Sequence, residues 1–145
     1  EVFEVPDIDY SIAIGSANIK KSGSDVTITS FSRGVSSALA AAEILESQNI
    51  SAEVIDLRSL KPLDTDTIIK SVKKTNRIVS VEEGWISSGI GSEIISFVTS
   101  EAFDYLDAPP QRIAALDVPL PYASNLEKLC IPNGEKIASL CMRLF

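Results

Sequence analysis

The sequence predicts an α/β domain, a mostly parallel sheet covered by helices on both faces with one antiparallel strand at an edge. Two observations carry this. Runs rich in β-branched residues alternate along the chain with runs of helical period, the pattern left by successive strand-helix units. The 145 residues, 45% of them hydrophobic, are enough to close one core of ordinary domain size.

Each element can be justified in order. Residues 1–11 hold Pro6 among acidic side chains with no clear period, and are expected to be a connector on the surface. Ile12 and Ile14 then alternate, and Ala17-Asn18-Ile19 leads through Lys21-Ser22-Gly23-Ser24-Asp25 into Val26-Thr27-Ile28-Thr29-Ser30-Phe31. That arrangement is expected to be a hairpin closed at Gly23, which supplies the antiparallel edge strand. From Ser32 the period changes, and Ala38, Leu39, Ala42 and Leu45 draw an apolar stripe on a helix ending near Asn49.

Ala52 to Leu57 is the next strand. Beyond Pro62, Asp64 and Asp66 offer caps for a helix carrying Ile68, Ile69 and Val72, with Lys70, Lys73 and Lys74 toward its end. Arg77 to Glu82 forms a third strand, followed by a glycine-containing turn and a helix with Ile90, Ile94, Phe97 and Val98. Gln111 to Leu116 is the last strand, and Ile137, Leu140, Cys141 and Leu144 mark one face of a final helix after Gly134.

Composition removes several function classes. A net charge of −7 argues against unaided binding to nucleic acid or to an anionic membrane, since both need a concentrated basic face. The acidity favours a basic partner instead. Cys130 and Cys141 are too few and too widely spaced for a disulfide framework or a zinc site, and read as reduced core thiols. No apolar run is long enough to span a bilayer, and the N-terminus lacks a secretory signal pattern. With Glu1 first and Met142 the only methionine, the sequence is expected to be a piece of a longer chain.

The chemistry is bounded by the absence of histidine. A Ser-His-Asp triad, a Cys-His pair and a histidine-bearing metal site are all ruled out, along with the side chain best suited to proton transfer near neutral pH. Gly84, Gly89 and Gly91 follow the third strand, where a phosphate loop could lie. Ile90 and Gly91 stand where such a loop needs Lys and Ser or Thr, so tight packing is the expected role. Glu82 and Glu83 should point to opposite faces of their strand and form no proton-sharing pair; a solvated strand end is expected. The cluster Lys70, Lys73, Lys74 and Arg77 needs no explanation beyond favourable charge at a helix C-terminus.

Three features invite a partner. Trp85 suits either the core or an interface anchor. Asp107, before the rigid pair Pro109-Pro110, is expected to be exposed, as a local turn carboxylate or as a partner contact. The loop Asp117-Val118-Pro119-Leu120-Pro121-Tyr122 is too apolar at Val118, Leu120 and Tyr122 to be left simply in water, and such loops are common at interfaces.

At these loops the sequence resembles a known family. Glu53-Val54-Ile55-Asp56-Leu57-Arg58-Ser59-Leu60-Lys61-Pro62, Val81-Glu82-Glu83-Gly84-Trp85, Tyr105-Leu106-Asp107-Ala108-Pro109 and the run from Asp117 to Glu127 together resemble the transketolase C-terminal domain of pyruvate dehydrogenase E1 β subunits, from about residue 12 to the final helix. Phe31 stands where some relatives have histidine or tyrosine. The resemblance implies a three-layer α/β/α sandwich on a five-stranded sheet over 12–145, with 1–11 joining it to an upstream pyrimidine-binding domain. It implies that thiamine diphosphate and magnesium belong to the whole enzyme and that this chain supplies no catalytic, cofactor-binding or metal-binding residue. It further implies pairing with a second β subunit and with the E1 α subunit, and docking of the E2 subunit-binding domain by Asp107 and by the carboxylate of Phe145. Trp85, Val118, Leu120 and Tyr122 are then the subunit-interface candidates. The implied compartment is the bacterial cytoplasm or the mitochondrial matrix. Alternatives are the branched-chain or acetoin enzyme, and a stand-alone nucleotide-binding protein.

Overall fold

A computed structural model describes residues 7–145. The elements run β1 (Asn18–Lys21), β2 (Val26–Ser30), α1 (Gly34–Glu46), β3 (Ala52–Asp56), α2 (Thr65–Thr75), β4 (Ile78–Trp85), α3 (Ile90–Ala102), a short 3-10 turn (Phe103–Tyr105), β5 (Gln111–Ala115), α4 (Ser124–Cys130) and α5 (Gly134–Met142). The strands form one sheet in the order β1-β3-β2-β4-β5. All neighbouring pairs are parallel except β1 with β3.

The antiparallel edge strand is therefore present, but its partner is β3 and not β2. Both edges of β2 are already taken, by β3 on one side and β4 on the other, so β1 adds to the outer edge of β3. Gly23 does not close a hairpin. It carries the chain across the start of β3, so close that a Cβ there would sit 2.2 Å from the Ala52 carbonyl carbon. The crossing is tied down where the Ser24 and Asp25 N–H groups donate to Ser51 O at 3.1 and 2.9 Å, and Ser51 N–H donates to Asp25 Oδ2 at 2.7 Å.

The strand begins later than the alternation of Ile12 and Ile14 suggests. Both side chains are exposed and precede β1. Of the expected connector, residues 1–6 lie outside the described residues, and 7–11 are exposed without helix or strand.

Two cores make the three layers. On one face α1 and α5 cover Val26, Ile28, Val54, Val79 and Val81 with Ala38, Ala41, Ala42, Leu45, Ile137 and Cys141. Small alanines let the two helices approach closely: a Cβ at Gly134 would stand 3.0 Å from that of Ala40. On the other face α2 and α3 cover Ile55, Leu57 and Ile78 with Ile68, Val72, Ile94 and Val98. Burying each such side chain is worth about 1.5–3 kcal/mol, which makes these faces the main source of stability.

The caps follow the residue chemistry. Asp64 accepts from Thr67 N–H at 3.1 Å and Asn133 from Lys136 N–H at 2.9 Å. Helix α2 ends where Asn76 adopts a left-handed conformation, φ 60°, and returns its N–H to Val72 O. Helix α4 follows the proline-rich loop and has no strong sequence period. Its carbonyl end is held by the Lys136 ammonium, which donates to Leu129 O at 2.6 Å and Ile131 O at 3.1 Å. Both cysteines are free thiols and buried.

Candidate functional site

The turn after β4 is filled by one of the chain's own side chains. Glu82, expected at a solvated strand end, is 4% exposed and turned toward the start of α3. Its Oε1 accepts from Gly91 N–H at 3.2 Å. The helix N-terminus, where unpaired N–H groups would otherwise attract a phosphate, is occupied by the chain's own carboxylate. The glycines make room for it: a Cβ at Gly89 would lie 2.3 Å from Glu82 Oε1 and one at Gly91 2.8 Å. Sequence reasoning placed tight packing here but missed its partner, because β-strand position alone does not tell what covers the side chain. Glu83 does face the other way, as alternation requires, and pairs with Arg33 at 2.8 Å.

The residues fit neither a diphosphate nor its cation at this turn. Among the described residues no group of three or more His, Cys, Asp or Glu is placed to hold a metal ion. No helix among them is long and apolar enough to cross a membrane.

Arg77 assembles a surface from Asp107 and Phe145. Its guanidinium lies 3.5 Å from Asp107 Oδ2 and 4.3 Å from the centre of the Phe145 ring, while Nε donates to Leu144 O at 2.9 Å. The link between α2 and β4 thereby holds both residues proposed for partner docking. Asp107 is 58% exposed, as expected from its turn. Its backbone is fixed independently, since Asp107 N–H donates to Asn76 O at 2.9 Å and Asn76 Nδ2 to Tyr105 O at 2.7 Å. Lys73 sits over the Tyr105 ring at 4.8 Å. The basic end of α2 is thus more than dipole complement: Lys73 and Arg77 both clamp the 103–107 segment, and Lys74 pairs with the buried Glu53.

A second surface lies at the carboxyl ends of β4 and β5. Trp85 is outside the core, 56% exposed, and its Nε1–H donates to Val118 O at 3.1 Å. Ser87 Oγ donates to Asp117 Oδ2 at 2.6 Å, so two hydrogen bonds pin the proline-rich loop to the turn after β4. Val118, Leu120 and Tyr122 are all exposed on that loop, with Leu116, Leu126 and Leu129 exposed in the neighbouring segments. The tertiary fold brings Trp85 and Val118 together, with Leu120 and Tyr122 exposed on the same loop.

A family model described as "Transketolase, C-terminal domain" matches residues 15–137. The chain belongs to the transketolase C-terminal domain family. It is 58% identical over 135 residues to the pyruvate dehydrogenase E1 component subunit beta of Rickettsia felis, covering 93% of this chain and 41% of that protein. It is 51% identical over 138 residues to the mitochondrial E1 subunit beta of Dictyostelium discoideum, covering 95% and 39%. This transketolase C-terminal domain spans about two fifths of the length of these relatives. Among solved structures, a split-gene transketolase described as an inactive beta4 tetramer aligns with TM-score 0.82 at 28% identity, over 99% of this chain and 46% of that one. A transketolase mutant from Pichia stipitis shares the fold, with TM-score 0.60 over 88% of this chain and 17% of its own length.

Proposed function

We propose that this transketolase C-terminal domain is the assembly module of a pyruvate dehydrogenase E1 β subunit. The whole enzyme would use thiamine diphosphate and magnesium to decarboxylate pyruvate and pass the acetyl unit to lipoyl-bearing E2. The cofactor would lie between the α subunit and an upstream β domain, to which residues 1–11 would connect. Pyruvate is favoured over branched-chain or acetoin substrates because the relatives cited above are pyruvate dehydrogenase E1 β subunits. The self-filled anion site at Glu82 speaks against a stand-alone nucleotide-binding protein. Relatives from a bacterium and from mitochondria support the bacterial cytoplasm or the mitochondrial matrix as the compartment.

The observation that carries this reading is the separation of two exposed surfaces, each held in shape by its own hydrogen bonds. The Trp85, Val118, Leu120 and Tyr122 surface suits burial against another subunit, because it is apolar, aromatic and pre-organised. The beta4 tetramer of the split-gene transketolase supports pairing of β-type chains. The Asp107 and Phe145 surface suits the basic E2 subunit-binding domain, where opposite charge would speed and orient docking.

The test uses the complete α2β2 enzyme. Leu120→Asp, which places a charge in the apolar surface, is expected to shift the heterotetramer toward smaller species in sedimentation velocity. Asp107→Asn should leave the heterotetramer intact and weaken E2 docking in titration calorimetry. An unchanged assembly with Leu120→Asp and unchanged E2 affinity with Asp107→Asn would refute the two assignments. The domain alone, given thiamine diphosphate and magnesium, should not turn over pyruvate.

A further inference from the structure

The chain enters β1 through a strap that this domain leaves uncovered. Ile8, Tyr10, Ile12 and Ile14 recur at every second residue, the period of an extended segment that presents one apolar side. Each is more than half exposed, and none joins either core. Among the described residues Ile8 to Ile12 make no hydrogen bond. Single apolar residues are ordinary on a surface, but this run is contiguous, and contiguous apolar patches mark contact.

The inner end of the strap is fixed. Gly15 N–H donates to Ser59 Oγ at 2.7 Å and Ala17 N–H to Asp64 Oδ2 at 2.9 Å. Gly15 has φ 78°, and a Cβ there would lie 2.8 Å from Pro62 Cγ, so the chain turns against the β3–α2 connection at a point that favours glycine. β1 starts opposite Asp56, the last residue of β3, which places the strap at the carboxyl ends of the parallel strands.

What covers the strap follows from its place in the family. The transketolase C-terminal model begins at residue 15, so Ile8 to Ile14 precede the family domain. The match to the Dictyostelium subunit spans 138 residues of this chain and takes them in, yet it is only 39% of that longer polypeptide. We propose that Ile8, Tyr10, Ile12 and Ile14 dock into an apolar groove of the domain that precedes this one in the same β polypeptide, with the strap added there as a strand. A segment covalently next to its groove meets it at a high effective concentration, an advantage no separate subunit has. Burying the strap's main chain requires hydrogen-bond partners, and a sheet edge supplies them together with pockets for alternate side chains. The proposal rests on the reading of this domain as part of a longer E1 β subunit, and adds the contact that joins the two domains.

Photo-crosslinking in the complete α2β2 enzyme tests it. Replacing Tyr10 with p-benzoylphenylalanine keeps an aromatic ring at a position outside both cores, so the enzyme should fold and assemble. Irradiation is expected to join residue 10 to a peptide upstream of this domain, found by mass spectrometry in a β band of unchanged mass on a denaturing gel. A crosslink to the α subunit or to the second β subunit, or none, overturns the proposal. Amide exchange across residues 8–14 of the parent enzyme should be at least tenfold slower than in a free peptide of that sequence, and Ile12→Asp should return it toward the peptide rate. Exchange at the peptide rate in a parent enzyme that still turns over pyruvate overturns the docked strap and leaves the E1 β reading in place. A full-length polypeptide that neither assembles with an α subunit nor turns over pyruvate overturns both.

Discussion

The Arg77 guanidinium stacks 4.3 Å from the centre of the Phe145 ring, which ties the last residue of the described chain to the start of β4. The same guanidinium lies 3.5 Å from Asp107 Oδ2. One arginine thus sets the geometry of a surface contributed by three distant parts of the sequence.

Arg77→Leu removes the stacking, the hydrogen bond to Leu144 O and the contact with Asp107. The exposed ion pair adds little by itself, so the loss comes mainly from the ring contact and the carbonyl bond, about 1–3 kcal/mol together. Urea denaturation should show the midpoint fall. The release of the 144–145 segment should also appear as faster amide exchange there.

Gly89→Ala should destabilise by about 1–3 kcal/mol through overpacking. Gly89 has φ −75°, which any residue adopts, so the effect is steric and directed at Glu82. Combining it with Glu82→Ala should give less than the sum of the two single losses, because the second change empties the space the first invades. Additive losses in a thermal double-mutant cycle would contradict the contact.

Asp64 offers a pH prediction. Burial works to raise its carboxyl, but hydrogen bonds from Ala17 N–H, Thr67 N–H and the Thr67 hydroxyl, with the charge of Lys70, hold it below the ordinary value. A depressed folded-state value means stability that is present above the unfolded pKa and lost as pH falls through the folded one. Asp64→Ala should therefore lose about 1–2 kcal/mol at neutral pH by removing the cap, and the gap from the parent should narrow below about pH 4. Denaturant titrations across that range measure it.

Burial pushes the Cys141 thiol up to about 12, so almost no thiolate exists at neutral pH. In the folded protein Cys141 should resist a maleimide at pH 7, and it should label readily in denaturant. Peptide mass spectrometry after labelling separates it from Cys130.

What the sequence determined by itself is what short-range periodicity and residue chemistry encode. The stripe of Ile137 and Cys141 placed α5, and Asp64 marked the start of α2, because a helix face or a cap is written within a few neighbouring residues. The family-specific runs likewise lie contiguous in the chain. Helix α4 escaped notice since it is short, follows two prolines and is held at its end by Lys136 from the next helix. The pairing of β1 is not legible in the sequence because a glycine between two strands is compatible with either a turn or a crossing; the occupied edges of β2 exclude the hairpin. The burial of Glu82 is not legible in the sequence because alternation assigns a face without saying what packs on it, and the α3 start brings two glycines and a helix N-terminus onto that face. The exposure of Trp85, its bond to Val118, and the meeting of Asp107 with Phe145 at Arg77 were decided by tertiary structure alone. Each joins residues far apart in the chain, whose approach depends on how sheet and helices close on the two cores.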